Sequence, residues 1–228
     1  MNVLDDEIQD NLKTNDPLPD ALLLVSFDEY ADRLIDVWTQ NKTRSDGLVR
    51  RGRRNAVDYL KELAVWKFHD GSFTKVFSDE QSRQVYDLDL AKLWRDGLAQ
   101  LVNVRGAYQE APPGHIFKHP SGRETRQFLL ASELLRDEVD AYFVAMAICT
   151  TAWNRLKSTS ILRIDTMGVY PIARAVEDIV RRCGGNAQEW EIDSFHSHGG
   201  MAGLHTVLTE SDAILVSAST TGSMVAKL

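Results

Sequence analysis

The sequence is poor in cysteine and has no long hydrophobic run. Its 228 residues include only Cys149 and Cys183, too few for a disulfide framework. No stretch of about 20 apolar residues suggests a membrane span, and no secretory leader is recognisable. We therefore expect a reduced, cytoplasmic protein without a membrane span.

Basic residues are fewer than acidic ones, 26 Lys and Arg against 33 Asp and Glu. The formal net charge is −7, which argues against a broad surface for nucleic acids. One dense cluster, named here the arginine cluster, is the exception and consists of Arg50, Arg51, Arg53 and Arg54. It could bind phosphates of a nucleotide, of a nucleic acid or of an acidic partner. The alternative is a solvated loop paired with acidic residues.

The first half of the chain predicts an arm followed by helices. Residues 1–20 are rich in acidic and amide side chains, as in a mobile acidic arm. Ser26-Phe27-Asp28-Glu29 is a capping box, and apolar residues recur after it at helical spacing. Similar patterns predict helices over residues 56–68 and 79–104. Residues 21–110 are therefore predicted to form a helical region.

The pattern changes at Pro112-Pro113-Gly114, which disfavours both helix and sheet and predicts an exposed domain boundary. Beyond it, strands are predicted over 160–165, 189–195 and 213–216, with a helix over 170–183. Strands alternating with helices are typical of a parallel sheet. The sequence predicts an α/β fold, with the helical N-terminal region followed by a parallel-sheet domain over residues 111–228.

The last predicted strand runs into a segment of small, hydroxylated residues that contains a glycine. After a buried strand, the backbone N–H groups of such a turn and of the helix that follows can converge on a phosphate. An ordinary polar loop is the alternative. The candidate phosphate-binding residues are Ser217, Ser219, Thr220, Thr221, Gly222 and Ser223.

Three segments in the same order resemble orotate-type phosphoribosyltransferases. They are His115 to Phe128, Ile161 to Val176, which includes Pro171-Ile172-Ala173, and Asp212 to Ser223. The resemblance implies a phosphoribosyltransferase-like core and a nucleotide or phosphoribosyl ligand. It also implies substrate-binding roles for Lys118, Ser121, Arg123 and Gly168, although the two cations are explained equally well by solvation.

The sequence departs from the family pattern in three ways. The two adjacent acidic residues of the family fall on Val216 and Ser217, so both carboxylates are missing. Residues 195–204, where the family carries a catalytic lysine, contain none. The fold of the family usually continues beyond the position of Leu228, so we expect the domain to be incomplete at its C-terminus or closed by other means.

Three residues are candidates for chemistry at this site. Asp165, at the end of a neighbouring predicted strand, could replace a lost carboxylate. His196 and His198 could supply a proton as general acids, since histidine titrates near neutral pH. A zinc site at these histidines is disfavoured because Asp193 is the only carboxylate close by. The resemblance makes Mg²⁺ the one possible cofactor, and the missing acidic pair weakens that expectation.

Two classes of function stay open at the sequence level. The favoured one is a phosphoribosyltransferase-like module that binds a phosphoribosyl compound or nucleotide with reduced or no transferase activity. Similar divergent proteins serve as accessory or effector subunits in bacterial antiphage systems, which implies a protein partner or a homo-oligomer. The alternative is an active phosphoribosyltransferase that uses phosphoribosyl diphosphate and a nucleobase-like acceptor.

Overall fold

The computed structural model describes residues 21–40, 62–78, 89–118, 124–185, 188–195 and 208–217. Its contacts divide the chain into two compact units, Met1–Leu88 and Asp89–Leu228. Both units combine helices with small sheets. No helix in the described ranges is long and apolar enough to cross a membrane.

The described residues of the first unit form a three-stranded sheet and one helix. Its elements are β1 (Ala21–Phe27), α1 (Asp28–Gln40), β2 (Glu62–His69) and β3 (Ser72–Ser78). The strand order is β1-β2-β3, with β2 parallel to β1 and antiparallel to β3. Asp70 and Gly71 join β2 to β3 with φ of 47° and 75°, the left-handed pair that a tight hairpin turn needs.

The prediction of a helical region over 21–110 is therefore wrong for the residues that form strands β1, β2 and β3. The helix after the capping box is confirmed as α1, but β1 precedes it, and the helix predicted over 56–68 is the strand β2 from Glu62 onward. The run Leu63-Ala64-Val65-Trp66 fits either period, and its β-branched and aromatic residues suit a strand. Asp70-Gly71, just after the segment predicted as a helix, forms the hairpin turn that pairs β2 with β3.

The second unit begins with a helix and short antiparallel pairs. Its first elements are α2 (Leu90–Val104), β4 (Tyr108–Glu110), β5 (Phe117–Lys118), β6 (Glu124–Thr125) and β7 (Gln127–Leu129). The predicted helix 79–104 is confirmed over its described part, and the Asp89 side chain caps it by accepting from the Lys92 N–H at 2.9 Å. Strand β4 pairs with β7, and β5 with β6. Pro112 and Pro113 are exposed, as predicted, in the connection between β4 and β5.

The rest of the unit packs two long helices beside a parallel sheet. The elements are a short 3-10 helix (Ala131–Leu135), α3 (Glu138–Leu156), β8 (Ile161–Ile164), a 3-10 turn (Met167–Val169), α4 (Tyr170–Arg182), β9 (Glu191–Ser194) and β10 (Asp212–Leu215). The predicted strands and the helix over 170–183 are confirmed. Strand order is β10-β8-β9, all parallel, with Ile161 opposite both Asp212 and Glu191.

The alternation of buried and partly exposed side chains along β8 determines which face of the sheet adjoins the core. Leu162 and Ile164 are 2% and 0% exposed, and α4 buries Val176, Ile179 and Val180. Successive strand residues point to opposite faces, so Arg163 lies on the other face from this apolar pair. A carboxylate also reaches inside: Glu177 of α4 is 2% exposed and accepts the Trp190 backbone N–H at 2.9 Å just before β9. This contact fixes α4 against the entrance of β9.

A side-chain hydrogen bond also joins α3 to α4. The Tyr142 hydroxyl donates to Asp178 Oδ2 at 2.7 Å, while Arg182 Nε donates to the same oxygen at 2.7 Å. Burial and the Asp178 hydrogen bond together raise the pKa of Tyr142 to about 12. The carboxylate stays ionised because the phenol and the guanidinium both donate to it.

We expect this raised pKa to produce an alkaline loss of stability. The phenol of Tyr142 has a pKa of about 10 in the unfolded chain. Its contribution to the free energy of unfolding is therefore complete below pH 10 and is lost as pH rises towards 12. Ultraviolet titration of native protein should show one tyrosine that ionises at higher pH than an ordinary phenol. Tyr142→Phe should lack it. A native spectrum in which all tyrosines ionise together near pH 10 would contradict the assignment.

Candidate functional site

The carboxyl edge of the parallel sheet brings two of the predicted segments together. Strand β8 ends at Ile164 and continues into Asp165, while β10 ends at Leu215 and continues towards Ser217. The Asp165 N–H donates to the Leu215 carbonyl at 3.2 Å, which keeps the two chain ends side by side. Ligands of open parallel sheets bind at this edge, where loops diverge and backbone groups are free.

Asp165 and Ser217 are in direct contact at this edge. Asp165 Oδ1 accepts the Ser217 backbone N–H at 3.0 Å, and Oδ2 accepts the Ser217 hydroxyl at 2.7 Å. Asp165 is only 2% exposed. With both donors of Ser217 directed at the carboxylate, a phosphate would have to be held by residues farther along the chain. Asp165 therefore anchors the start of the predicted phosphate loop.

The turn after Asp165 presents a second polar segment. Thr166 Oγ1 accepts the Gly168 N–H at 3.3 Å and so begins the 3-10 turn that leads into α4. A Cβ built on Gly168 would meet only Thr166 Oγ1, at 3.7 Å, which is an ordinary contact. Gly168 is thus not required by the space around it. Sequence reasoning missed the role of Thr166, although a threonine directly before a helical turn is a capping signal.

The apolar side of the edge is formed in part by Val216. Val216, where the resemblance puts the first acidic residue, packs with Ile214 and Leu208 against the buried Phe195. A carboxylate at this partly buried position would lie among apolar side chains, which disfavours its charged form. The position serves packing in this chain.

An ion-pair network crosses all three parallel strands on one face of the sheet. Arg163 of β8 donates to Asp212 of β10 at 2.9 Å and to Asp193 of β9 at 3.0 Å. The Asp212 side chain is 1% exposed and also accepts from the Thr209 hydroxyl at 2.7 Å. Burial opposes ionisation of Asp212, but the hydrogen bonds from Thr209 and Arg163 outweigh it and lower the pKa. The network fixes strand register, and sequence reasoning overlooked Arg163.

The remaining predicted residues fall into two groups. Lys118 lies on the β5–β6 hairpin and faces Glu124 at 3.8 Å, both side chains being largely exposed. Within the described ranges, no three His, Cys, Asp or Glu side chains are grouped so as to hold a metal ion. The predicted residues outside the described ranges are Ser121, Arg123, His196, His198, Ser219, Thr220, Thr221, Gly222, Ser223 and the arginine cluster, and residues 1–20 also lie outside them.

Comparison of the chain with protein-family models, with curated proteins and with solved structures gave no match in any of the three. The resemblance to phosphoribosyltransferases therefore depends on the three sequence segments alone.

Proposed function

We propose that the second unit binds a phosphoribosyl compound or a nucleotide at the carboxyl edge of its parallel sheet, with reduced or no transferase activity. The observation that supports this is the contact between Asp165 and Ser217. It joins the two segments to which the resemblance assigns the ligand, one after β8 and one after β10. A parallel sheet with adjoining loops at this edge suits a small phosphorylated ligand.

In this proposal the phosphate is bound by residues 220–223. Backbone N–H groups after Ser217 would supply the donors, and the hydroxyls of Thr220, Thr221 and Ser223 would add to them. Asp165 contributes by holding the first residue of the loop in place. Its negative charge also disfavours a phosphate next to Ser217, which is consistent with a phosphate site farther along the loop.

Low transferase activity is supported by the side chains at positions 216 and 217. Val216 packs against Phe195, and Ser217 is hydrogen-bonded to Asp165, so this strand end carries no adjacent carboxylates. Glycosyl transfer builds positive charge at the anomeric carbon, and a site without carboxylates facing that carbon stabilises the charge poorly. Mg²⁺ would then contribute little to ligand affinity.

An active phosphoribosyltransferase using phosphoribosyl diphosphate and a nucleobase-like acceptor is the second candidate. Asp165 favours it because it is a carboxylate at the correct edge of the sheet. At 2% exposure, however, its oxygens would have to leave Ser217 before they could face a ribose or a metal ion. His196 or His198 would be the proton donor in this version.

We further propose that the chain is an accessory or effector subunit of a bacterial antiviral system acting in the cytoplasm. A first unit with a sheet of its own gives such a subunit a second body for contacting a protein partner. The arginine cluster, on the connection between α1 and β2, would contact a polyanion such as a nucleic acid. This proposal rests on resemblance alone.

Calorimetry tests the ligand proposal directly. Native protein should bind ribose 5-phosphate or a nucleoside 5′-monophosphate with an affinity that changes less than about threefold when Mg²⁺ is added, because no carboxylate pair is available to hold the ion. Release of pyrophosphate from phosphoribosyl diphosphate with a panel of bases separates the two candidates. Release of pyrophosphate would show that the protein is an active phosphoribosyltransferase. If no phosphorylated ligand binds, both the binding module and the active enzyme are refuted.

A further inference from the structure

A cavity separate from the proposed ligand site lies between α3 and β10. Its volume is about 270 Å³. Apolar side chains from α3, β8, α4 and β10 form most of its wall, among them Ile148, Leu156, Leu162 and Leu215. An engineered apolar cavity of about 150 Å³ binds benzene, so this one has room for a two-ring molecule.

A local distortion of α3 borders this cavity. Ala152, one of the lining residues, has φ of −118° and ψ of 15°, outside the helical range. The preceding threonines explain it, since Thr150 Oγ1 donates to the Ala147 carbonyl at 2.9 Å and Thr151 Oγ1 to the same carbonyl at 3.0 Å. Hydroxyls bonded to carbonyls one turn back bend helices. The distortion is therefore encoded locally.

The cavity opens to solvent beside the charged side chain of Arg155. Arg155 and Thr209 both line it and are exposed. Arg155 Nη2 donates to the Asp212 backbone carbonyl at 2.6 Å, which holds the guanidinium at the amino end of β10. Among the described residues Arg155 forms no ion pair, and the carboxylate of Asp212, whose carbonyl it contacts, is paired with Arg163. Most of the Arg155 donors thus remain available for an anion.

We propose that this cavity binds a small aromatic or branched aliphatic carboxylate, with the apolar body inside and the carboxylate on Arg155. The match is one of volume, an apolar wall and a cation, Arg155, that has no ion-pair partner among the described residues. The contact of Arg155 with the Asp212 carbonyl lies at the amino end of β10, whereas Ser217 follows its carboxyl end. The cavity wall includes neither Asp165 nor Ser217, so failure of either proposal leaves the other intact.

The test uses 2-naphthoate and its neutral isostere 2-naphthamide on the full chain. We expect 2-naphthoate to bind native protein roughly tenfold more tightly than the amide, as one exposed charge-assisted hydrogen bond permits. Arg155→Gln should remove that difference while leaving amide binding unchanged. Ala152→Phe should abolish binding of both ligands by filling the cavity, and Ala152→Leu should weaken it less.

Each outcome bears on the assignment. No binding of 2-naphthoate to native protein, or equal affinity of naphthoate for native protein and a folded Arg155→Gln variant, would overturn it. If the Ala152 variants fail to fold, methyl resonances of native protein decide the location. Shifts at Ile148, Leu162 and Ile214 support the cavity, and shifts confined to methyl groups elsewhere refute it.

Discussion

Glu177→Ala is expected to lower the free energy of unfolding by about 2–4 kcal/mol. Glu177 is 2% exposed and has partners on both carboxylate oxygens. Oε1 accepts the buried Trp190 N–H at 2.9 Å, and Oε2 lies 2.7 Å from Arg174 Nη1. Alanine would leave the Trp190 N–H without an acceptor and remove the packed stem of the side chain. Both losses fall on the junction between α4 and β9.

A matched variant separates burial from charge in this experiment. Glu189 contacts the same arginine, with its Oε1 at 3.3 Å from Arg174 Nη2, but its side chain is 71% exposed. Glu189→Ala should cost less than about 0.5 kcal/mol, as exposed ion pairs usually do. Glu177→Gln keeps an acceptor for Trp190 and should fall between the two. Urea unfolding followed by tryptophan fluorescence measures all three, and equal losses in the two alanine variants would contradict the buried role of Glu177.

Gly222→Val is expected to abolish binding of ribose 5-phosphate-type ligands, a loss of at least about 100-fold, while the protein stays folded. The backbone of a phosphate loop has to approach its ligand closely, and a β-branched side chain at the glycine would obstruct it. Calorimetry on native and variant protein gives the affinity ratio. Circular dichroism establishes that the variant is folded.

Thr221→Val is the matched variant for this loop. It removes one hydroxyl at nearly constant volume, and it should weaken binding by about 0.5–1.5 kcal/mol for a neutral hydrogen bond, or more if the phosphate charge strengthens it. The phosphate-loop proposal would be refuted if native protein, Gly222→Val and Thr221→Val all bound the ligand with equal affinity. The naphthoate experiment would be unaffected by that result, since its cavity does not include these residues.

Local chemistry allowed some elements to be predicted from the sequence. The capping box at Ser26 to Glu29 overlaps the start of α1, and the strands predicted over 160–165, 189–195 and 213–216 are the parallel strands of the second unit. Gly184 has a φ of 87° at the end of α4, and the Gly185 N–H donates to the Val180 carbonyl at 2.8 Å. These features depend on neighbouring residues alone, so pattern and capping rules suffice.

Features that depend on distant partners could not be predicted in this way. Residues 62–68 were predicted to be helical because their apolar spacing fits both periods, and only pairing with β1 and β3 makes them a strand. Asp165 was expected to be an open carboxylate at the site, but it is buried against Ser217, 52 residues away in the chain. Arg163 could not be recognised because its carboxylate partners lie on two other strands.

The sequence by itself determined the helices and strands that carry a local signal, including the order of the parallel strands along the chain. It also determined that the family's acidic pair is absent, since Val216 and Ser217 occupy those positions. Only the tertiary structure decided the strand order β10-β8-β9, the contact between Asp165 and Ser217, and the cavity beside Ala152. The physical reason is the distance along the chain over which each interaction acts. Capping and periodicity act within a few residues, whereas sheet pairing, buried ion pairs and cavities depend on side chains that only the folded chain brings together.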